Sequence, residues 1–353
     1  MKKPLIALVI IIVIASALLY YQTTRTNIYE ILSQFNPEDN TSPEIYESSV
    51  RNVTLEPHKI TVNGDEHLLY LPKGYRINVY ATNLGKARLM AIKDGVLYVS
   101  SPPAGEIIAL PDADNDGKAD KSVVYAENLD YPHGLYFYED ALFIAGESTV
   151  YKTTDSNNDL KADKVEEIIT DIPTGGHVTR TIVVKGNKIY LSIGSSCNVC
   201  HEEKTRGMIL QYSIDGTNQQ VFAKGLRNAV GFIYDEKTSK FWATDNGRDF
   251  LGDNLPPEEI DIVESGKDYG WPICYGRKIH DTDFDKNVYI GNASHFLVPK
   301  TEGFQDIRDP CEDTAVPVVE MQAHSAPLGL RFYHGAEFKG YNGALFTAFH
   351  GSW

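Results

Sequence analysis

Several groups of side chains in this sequence have types and spacings that suit chemistry. The phrase DADNDGKADK at residues 112–121 puts Asp112, Asp114, Asp116, Gly117 and Asp120 at positions 1, 3, 5, 6 and 9 of a calcium-binding loop, which collects hard oxygen ligands. Position 12 is Val123, so the bidentate carboxylate of that loop is missing, and the same aspartates serve equally as Asx-turn acceptors on a solvated turn. Cys197-Asn198-Val199-Cys200-His201 is literally a c-type haem attachment pattern, although no helical pocket or axial partner is legible around it. His177 stands just ahead of the run VTRTIVVKGNKIYLSIG. An imidazole, with an unperturbed pKa of about 6.5, is a usable base at neutral pH, and a histidine in that place is equally suited to packing. Arg227-Asn228 precedes another apolar run. A guanidinium stays charged, stacks on planar rings and forks onto carboxylates, and it also suits a loop ion pair. Asn246-Gly247-Arg248 forms a polar turn after the aromatic strand of Phe241 and Trp242, and His133 and His324 each precede a similar run.

The elements that must position these groups are short and repetitive. The ten-residue aspartate phrase recurs as DSNNDLKADK 43 residues later, with seven identities, and a propeller blade of four strands takes about 40–45 residues. Five phrases pair an apolar run with a charged turn and an aromatic strand: LMAIKDGVLYVSS, GLYFYEDALFIAG, TIVVKGNKIYLSIG, GFIYDEKTSKFWATD and GLRFYHGAEFKGYNGALFTAF. Turns such as Lys185-Gly186-Asn187 are hairpin chemistry, and helical periodicity is absent after residue 60, so the fold class is all-β. Residues 75–80 (YRINVY) read as an N-terminal strand lent to the last blade.

The N-terminal segment reads differently. Lys2 and Lys3 precede 18 uncharged residues, 4–21, near the minimum for a transmembrane helix with its basic end, 1–3, in the cytoplasm; a cleaved signal peptide is the competing reading. Residues 22–60 are polar and proline-bearing, a stalk, and 61–353 form the folded body. Either way the body lies outside the cytoplasm, membrane-anchored at a cell surface or in a periplasm. Its four cysteines fit an oxidising compartment as the pairs Cys197-Cys200 and Cys274-Cys311. A net charge of −15 argues against nucleic acid as a partner.

Taken in order, the features of residues 225–276, from Arg227-Asn228 through Asp245-Asn246-Gly247-Arg248 to Tyr269-Gly270-Trp271-Pro272, resemble the core signature of the PQQ-dependent sugar dehydrogenases, the sorbosone and soluble glucose dehydrogenase family. The resemblance implies a six-bladed β-propeller whose last blade is incomplete here, since the family's chains run further. It implies oxidation of a sugar or sugar-derived aldehyde, with PQQ and calcium as cofactors and a membrane quinone or cytochrome as electron acceptor. By the same resemblance His177 is the catalytic base; Arg227, Asn228, Asn246 and Arg180 bind the cofactor; and the backbone carbonyls of Gly247 and Arg248 hold calcium. Ser195 aligns with the family's acidic partner of the histidine, and Arg248 with a proline. Two other classes stay open: a calcium-dependent lactonase-like hydrolase, and a non-catalytic binding propeller.

Overall fold

The computed structural model describes residues 54–202, 205–286, 309–338 and 340–352. The anchor at 4–21 and the stalk as far as residue 53 lie outside the described residues. Among the described residues no helix is long and apolar enough to cross a membrane.

The architecture is an all-β propeller with four complete blades, each a four-stranded antiparallel meander. The first blade is β3 (Met90–Lys93), β4 (Val96–Ser101), β5 (Glu106–Leu110) and β6 (Val123–Ala126). The second is β7 (Gly134–Tyr138), β8 (Ala141–Ala145), β9 (Val150–Thr154) and β10 (Lys164–Ile169), and the third is β11 (Arg180–Lys185), β12 (Lys188–Ile193), β13 (Met208–Ser213) and β14 (Gln220–Lys224). In the fourth, β15 (Phe232–Asp235), β16 (Lys240–Asp245) and β17 (Glu258–Val263) are completed by β20 (Val319–Met321). The insertion between β17 and β20 carries the small hairpin β18 (Cys274–Tyr275) and β19 (Ile279–His280). A further two-stranded sheet follows, β21 (Pro327–Phe332) with β22 (Leu345–Phe349). Each of the five repeated phrases is thus the inner hairpin of one sheet. The two aspartate phrases are the turns between the third and fourth strands of the first and second blades.

The two-residue period of the strands explains how the blades stack. In β11 and β12, Ile182, Val184, Ile189 and Leu191 face the second blade's Phe143 and Val150, while Val183 and Tyr190 face the fourth blade's Phe232 and Ala243. In the first blade Tyr98, Ile107 and Ala109 pack on Leu142 and Ile144, whereas Val99, Ile108 and Leu110 pack on Tyr80 and Leu84. The second and third blades are therefore packed on both faces.

Two expectations fail. The body begins before residue 61, because β1 (Leu55–Val62) pairs with β2 (Asp65–Pro72) across Asn63-Gly64, both with positive φ. Asn-Gly flanked by alternating residues is a hairpin signal, and it outweighs the polarity that suggested a stalk. Residues 75–80 form no strand. Their polar groups turn to the first aspartate loop instead, through Asn78 Nδ2 to Gly117 O (2.5 Å) and Ala119 N to Tyr80 O (2.8 Å). Tyr75 packs its ring 5.2 Å from that of Phe338, in the connection between β21 and β22.

Candidate active site

A four-strand meander returns the chain to its starting end before each new inner strand. The lead-in residues of successive blades therefore gather at one end of the ring axis. Arg88 precedes β3, His133 precedes β7, His177 precedes β11, Arg227 and Asn228 precede β15, and His324 precedes β21. The turns after the second strands, residues 195–200 and 246–248, lie at the same end.

His177 is held firmly there. Its Nδ1 lies 3.0 Å from the Ser195 carbonyl oxygen and 2.9 Å from Ser195 Oγ. Ser195 Oγ donates its own hydrogen to the Cys197 carbonyl, 2.7 Å away. Both oxygens facing Nδ1 therefore accept, so the proton sits on Nδ1 and the lone pair on Nε2. Among the described residues Nε2 has no hydrogen-bond partner. Burial, then the nearby Arg227 guanidinium, push the imidazole pKa down to about 4, against the pull of the Ser195 bond. The ring is neutral at pH 7, with a free acceptor. Gly194 must be glycine: a Cβ there would fall 2.7 Å from both His177 Cβ and Asn228 Oδ1, which fixes those two residues side by side.

Arg227 and Asn228 are seated by Asp245 at the end of β16. Its carboxylate accepts Arg227 N at 2.8 Å and Asn228 N at 2.6 Å. Burial raises this carboxyl to about 7 despite those two bonds and Arg227. The Arg227 guanidinium is buried, donating from Nε to Asn198 O (2.8 Å), from one terminal nitrogen to Asn198 Oδ1 (2.9 Å) and from the other to Asn246 O (3.0 Å). Asn198 also exchanges bonds with Asp249, accepting its N–H at 2.8 Å and donating to its carbonyl at 3.1 Å. His324 closes the rim, with Nδ1 3.7 Å from Asp249 Oδ1. Asn246 spans blades, donating Nδ2 to Pro327 O at 2.7 Å.

The structure thus brings His177, Arg227, Asn228, Asn246 and Gly247 together, and corrects one assignment. Arg180 cannot meet a cofactor. It is fully buried and among the described residues donates only to the backbone carbonyls of Glu147, Pro173, His177 and Thr179, so it braces the His177 loop. Arg206, unremarked in the sequence, braces it from the side through the carbonyls of Thr174, Gly175 and Gly194. The Arg248 side chain turns inward to Asp281, 3.2 Å away. Both disulfides, Cys197–Cys200 and Cys274–Cys311, are formed, which leaves no thiols for haem attachment. The first aspartate loop bonds largely to itself: Asp112 accepts the N–H of Asp116 and Gly117, and Asp120 accepts that of Ala113. The carboxylates of Asp112, Asp114 and Asp116 still lie within 4.8 Å of one another. Asp245, Asn198, Asp249 and Arg206 escaped the sequence reading because their role depends on contacts between distant turns. Asp245 alone had a local cue, at the close of a strand and directly before the Asn246 turn.

A family model described as TrAA12-like matches residues 69–353. The chain belongs to the TrAA12-like family. The resemblance read from residues 225–276 falls inside that span. This TrAA12-like chain is 29% identical over 322 residues to an uncharacterized protein of Borreliella burgdorferi, covering 86% of this chain and 76% of that one. It is 24% identical over 131 residues to the aldose sugar dehydrogenase YliI of Escherichia coli, 37% of this chain and 29% of the relative. Among solved structures it resembles the holo PQQ domain of pyranose dehydrogenase from Coprinopsis cinerea (TM-score 0.63, 19% identity, 86% of this chain and 76% of that). It also resembles the calcium structure of the Trichoderma reesei AA12 enzyme (TM-score 0.61, 22% identity, 77% and 75%). These two likenesses speak for the fold.

Proposed function

We propose that this TrAA12-like protein is a PQQ-dependent dehydrogenase of a sugar or sugar-derived aldehyde, with His177 as the general base. The observation that carries this reading is the tautomer of His177: Nδ1 is committed to Ser195, and Nε2 is left as a neutral acceptor beside a buried arginine. The residues present fit the cofactors. The Asn228 side-chain amide has no hydrogen-bond partner among the described residues, and Arg227 uses three of its five N–H donors, so both have capacity for a planar anion. No donor among the described residues reaches the carbonyls of Gly247 or Arg248, as hard oxygen ligands for calcium require. Arg227 and Asn228 would hold PQQ with Asn246, and the two carbonyls would hold calcium.

When bound, PQQ supplies the hydride acceptor and calcium the Lewis acid that polarises it. His177 Nε2 takes the proton of the substrate hydroxyl as hydride leaves the same carbon. Ser195 fixes the ring without charge, so the imidazolium gains no stabilisation from an adjacent carboxylate. A sixth blade, an N-terminal anchor, an extracytoplasmic location and a membrane quinone or cytochrome as electron acceptor belong to the same reading. The likeness to the PQQ domain of pyranose dehydrogenase and to an aldose sugar dehydrogenase supports the substrate class and PQQ, and the likeness to the AA12 calcium structure supports calcium.

The test is reconstitution of the full chain with PQQ and calcium, followed by dye-linked oxidation of a panel of sugars and aldehydes. Dye reduction that needs both additions is the expected result. Lactone hydrolysis without PQQ would replace this reading with the hydrolase, and saturable glycan binding without turnover would replace it with a binding propeller.

A further inference from the structure

The mouth has a second half that the proposed reaction does not use. Arg88, leading into the first blade, reaches Thr179 Oγ1 at the start of the third (3.4 Å). Blades one and three are not neighbours in the ring, so this contact places the Arg88 guanidinium at the axis, two residues along from His177. Between them lies His133 of the second blade, 3% exposed, with both ring nitrogens buried and unpartnered among the described residues. Tyr131, half-exposed and held at φ 43°, sets its ring 5.2 Å from that of His133.

These groups form a set. Arg88 is exposed and has no carboxylate partner among the described residues. A buried polar atom without a partner is rare in native structures, because it has lost water and gained nothing. The neutral imidazole offers one donor and one acceptor, Thr179 a hydroxyl, Tyr131 a ring face, and Arg88 a charge whose fork matches a carboxylate. In a chain of net charge −15, an unneutralised cation at the axis marks a place for an anion.

We propose that Arg88, His133 and Thr179 form a substrate subsite for the carboxylate of an acidic sugar, a uronate, presented to His177 with its ring against Tyr131. The inference deepens the dehydrogenase reading and rests on it for the identity of the reaction. Binding of a uronate is measurable without turnover, so the two stand or fall separately.

The experiment compares the full chain with R88Q and R88K, using glucuronate and galacturonate against glucose and galactose. Isothermal titration of the PQQ-free protein gives affinity, and dye-linked assay with PQQ and calcium gives kcat/KM. The wild type should bind uronates more tightly than their neutral counterparts. R88Q should lower the uronate-to-neutral ratio about tenfold or more, the worth of a charge-assisted hydrogen bond, and R88K should recover part of it. Equal ratios in wild type and R88Q overturn the subsite. So does weakened PQQ binding in R88Q with sugar discrimination intact, which would assign the cation to the cofactor. Uronate binding lost in R88Q while the wild type shows no PQQ-dependent turnover would keep the subsite and remove the redox reading.

Discussion

At the scale of single residues, the centre depends on how one imidazole is held. A base whose pKa is pushed down to about 4 stays competent far into acid. The kcat/KM of the reconstituted enzyme should therefore fall only as pH drops through about 4, not about 6.5, in a pH–rate profile. Ser195→Asp would set a carboxylate against Nδ1 and move that limb upward by about one unit or more. His177→Ala should lower kcat by about 10²–10⁴-fold with PQQ still bound, as titration of the quinone absorbance would show. His177, Arg227 and Asn228 were legible because they sit in a long, ordered signature. Arg180 shows the limit: its place in the signature was readable, but not the direction of its guanidinium. That direction is set by the carbonyls of Glu147 and Pro173, in two loops 33 and 7 residues away.

At the scale of elements, the inner hairpins were legible because alternation and turn residues are local properties; 181–194 is one hairpin about Gly186-Asn187, as expected. The loop after β12 was not. It joins the Cys197–Cys200 disulfide to an asparagine that grips Arg227 and residue 249 together. Nothing in the spacing of Asn198 announces partners 29 and 51 residues away. Asn198→Ala should weaken PQQ binding about tenfold, since it frees one terminal nitrogen of Arg227 and loosens the neighbouring loop. Opening the disulfide with Cys197→Ser and Cys200→Ser should weaken it in the same direction, by equilibrium titration, with the melting temperature as a control on folding.

At the scale of the whole molecule, the ring hides acids as well as histidines. Asp261 is fully buried with both carboxylate oxygens unpartnered among the described residues, and burial raises it and its neighbour Glu259 well above the usual carboxylate range. Asp245, raised to about 7, lies on the same strand pair. These acids bind protons in the folded state that the unfolded chain has released above about pH 4, so their contribution is lost as pH rises through their folded values. His133 and His177, lowered to about 4, act in the opposite sense between about 4 and 6.5, where only the unfolded chain protonates them. The two effects oppose one another up to about pH 6.5, and above it only the acids remain. The melting temperature should therefore change little across that acidic window and fall above it, and Asp261→Asn should flatten the fall. The packing of the middle blades on both faces has a different consequence. Since the faces of the second and third blades are claimed by their neighbours and the reactive residues hang from the connecting turns, inheritance can redraw one turn without touching the scaffold. A lineage of such rings is free to change what it oxidises a single sector at a time.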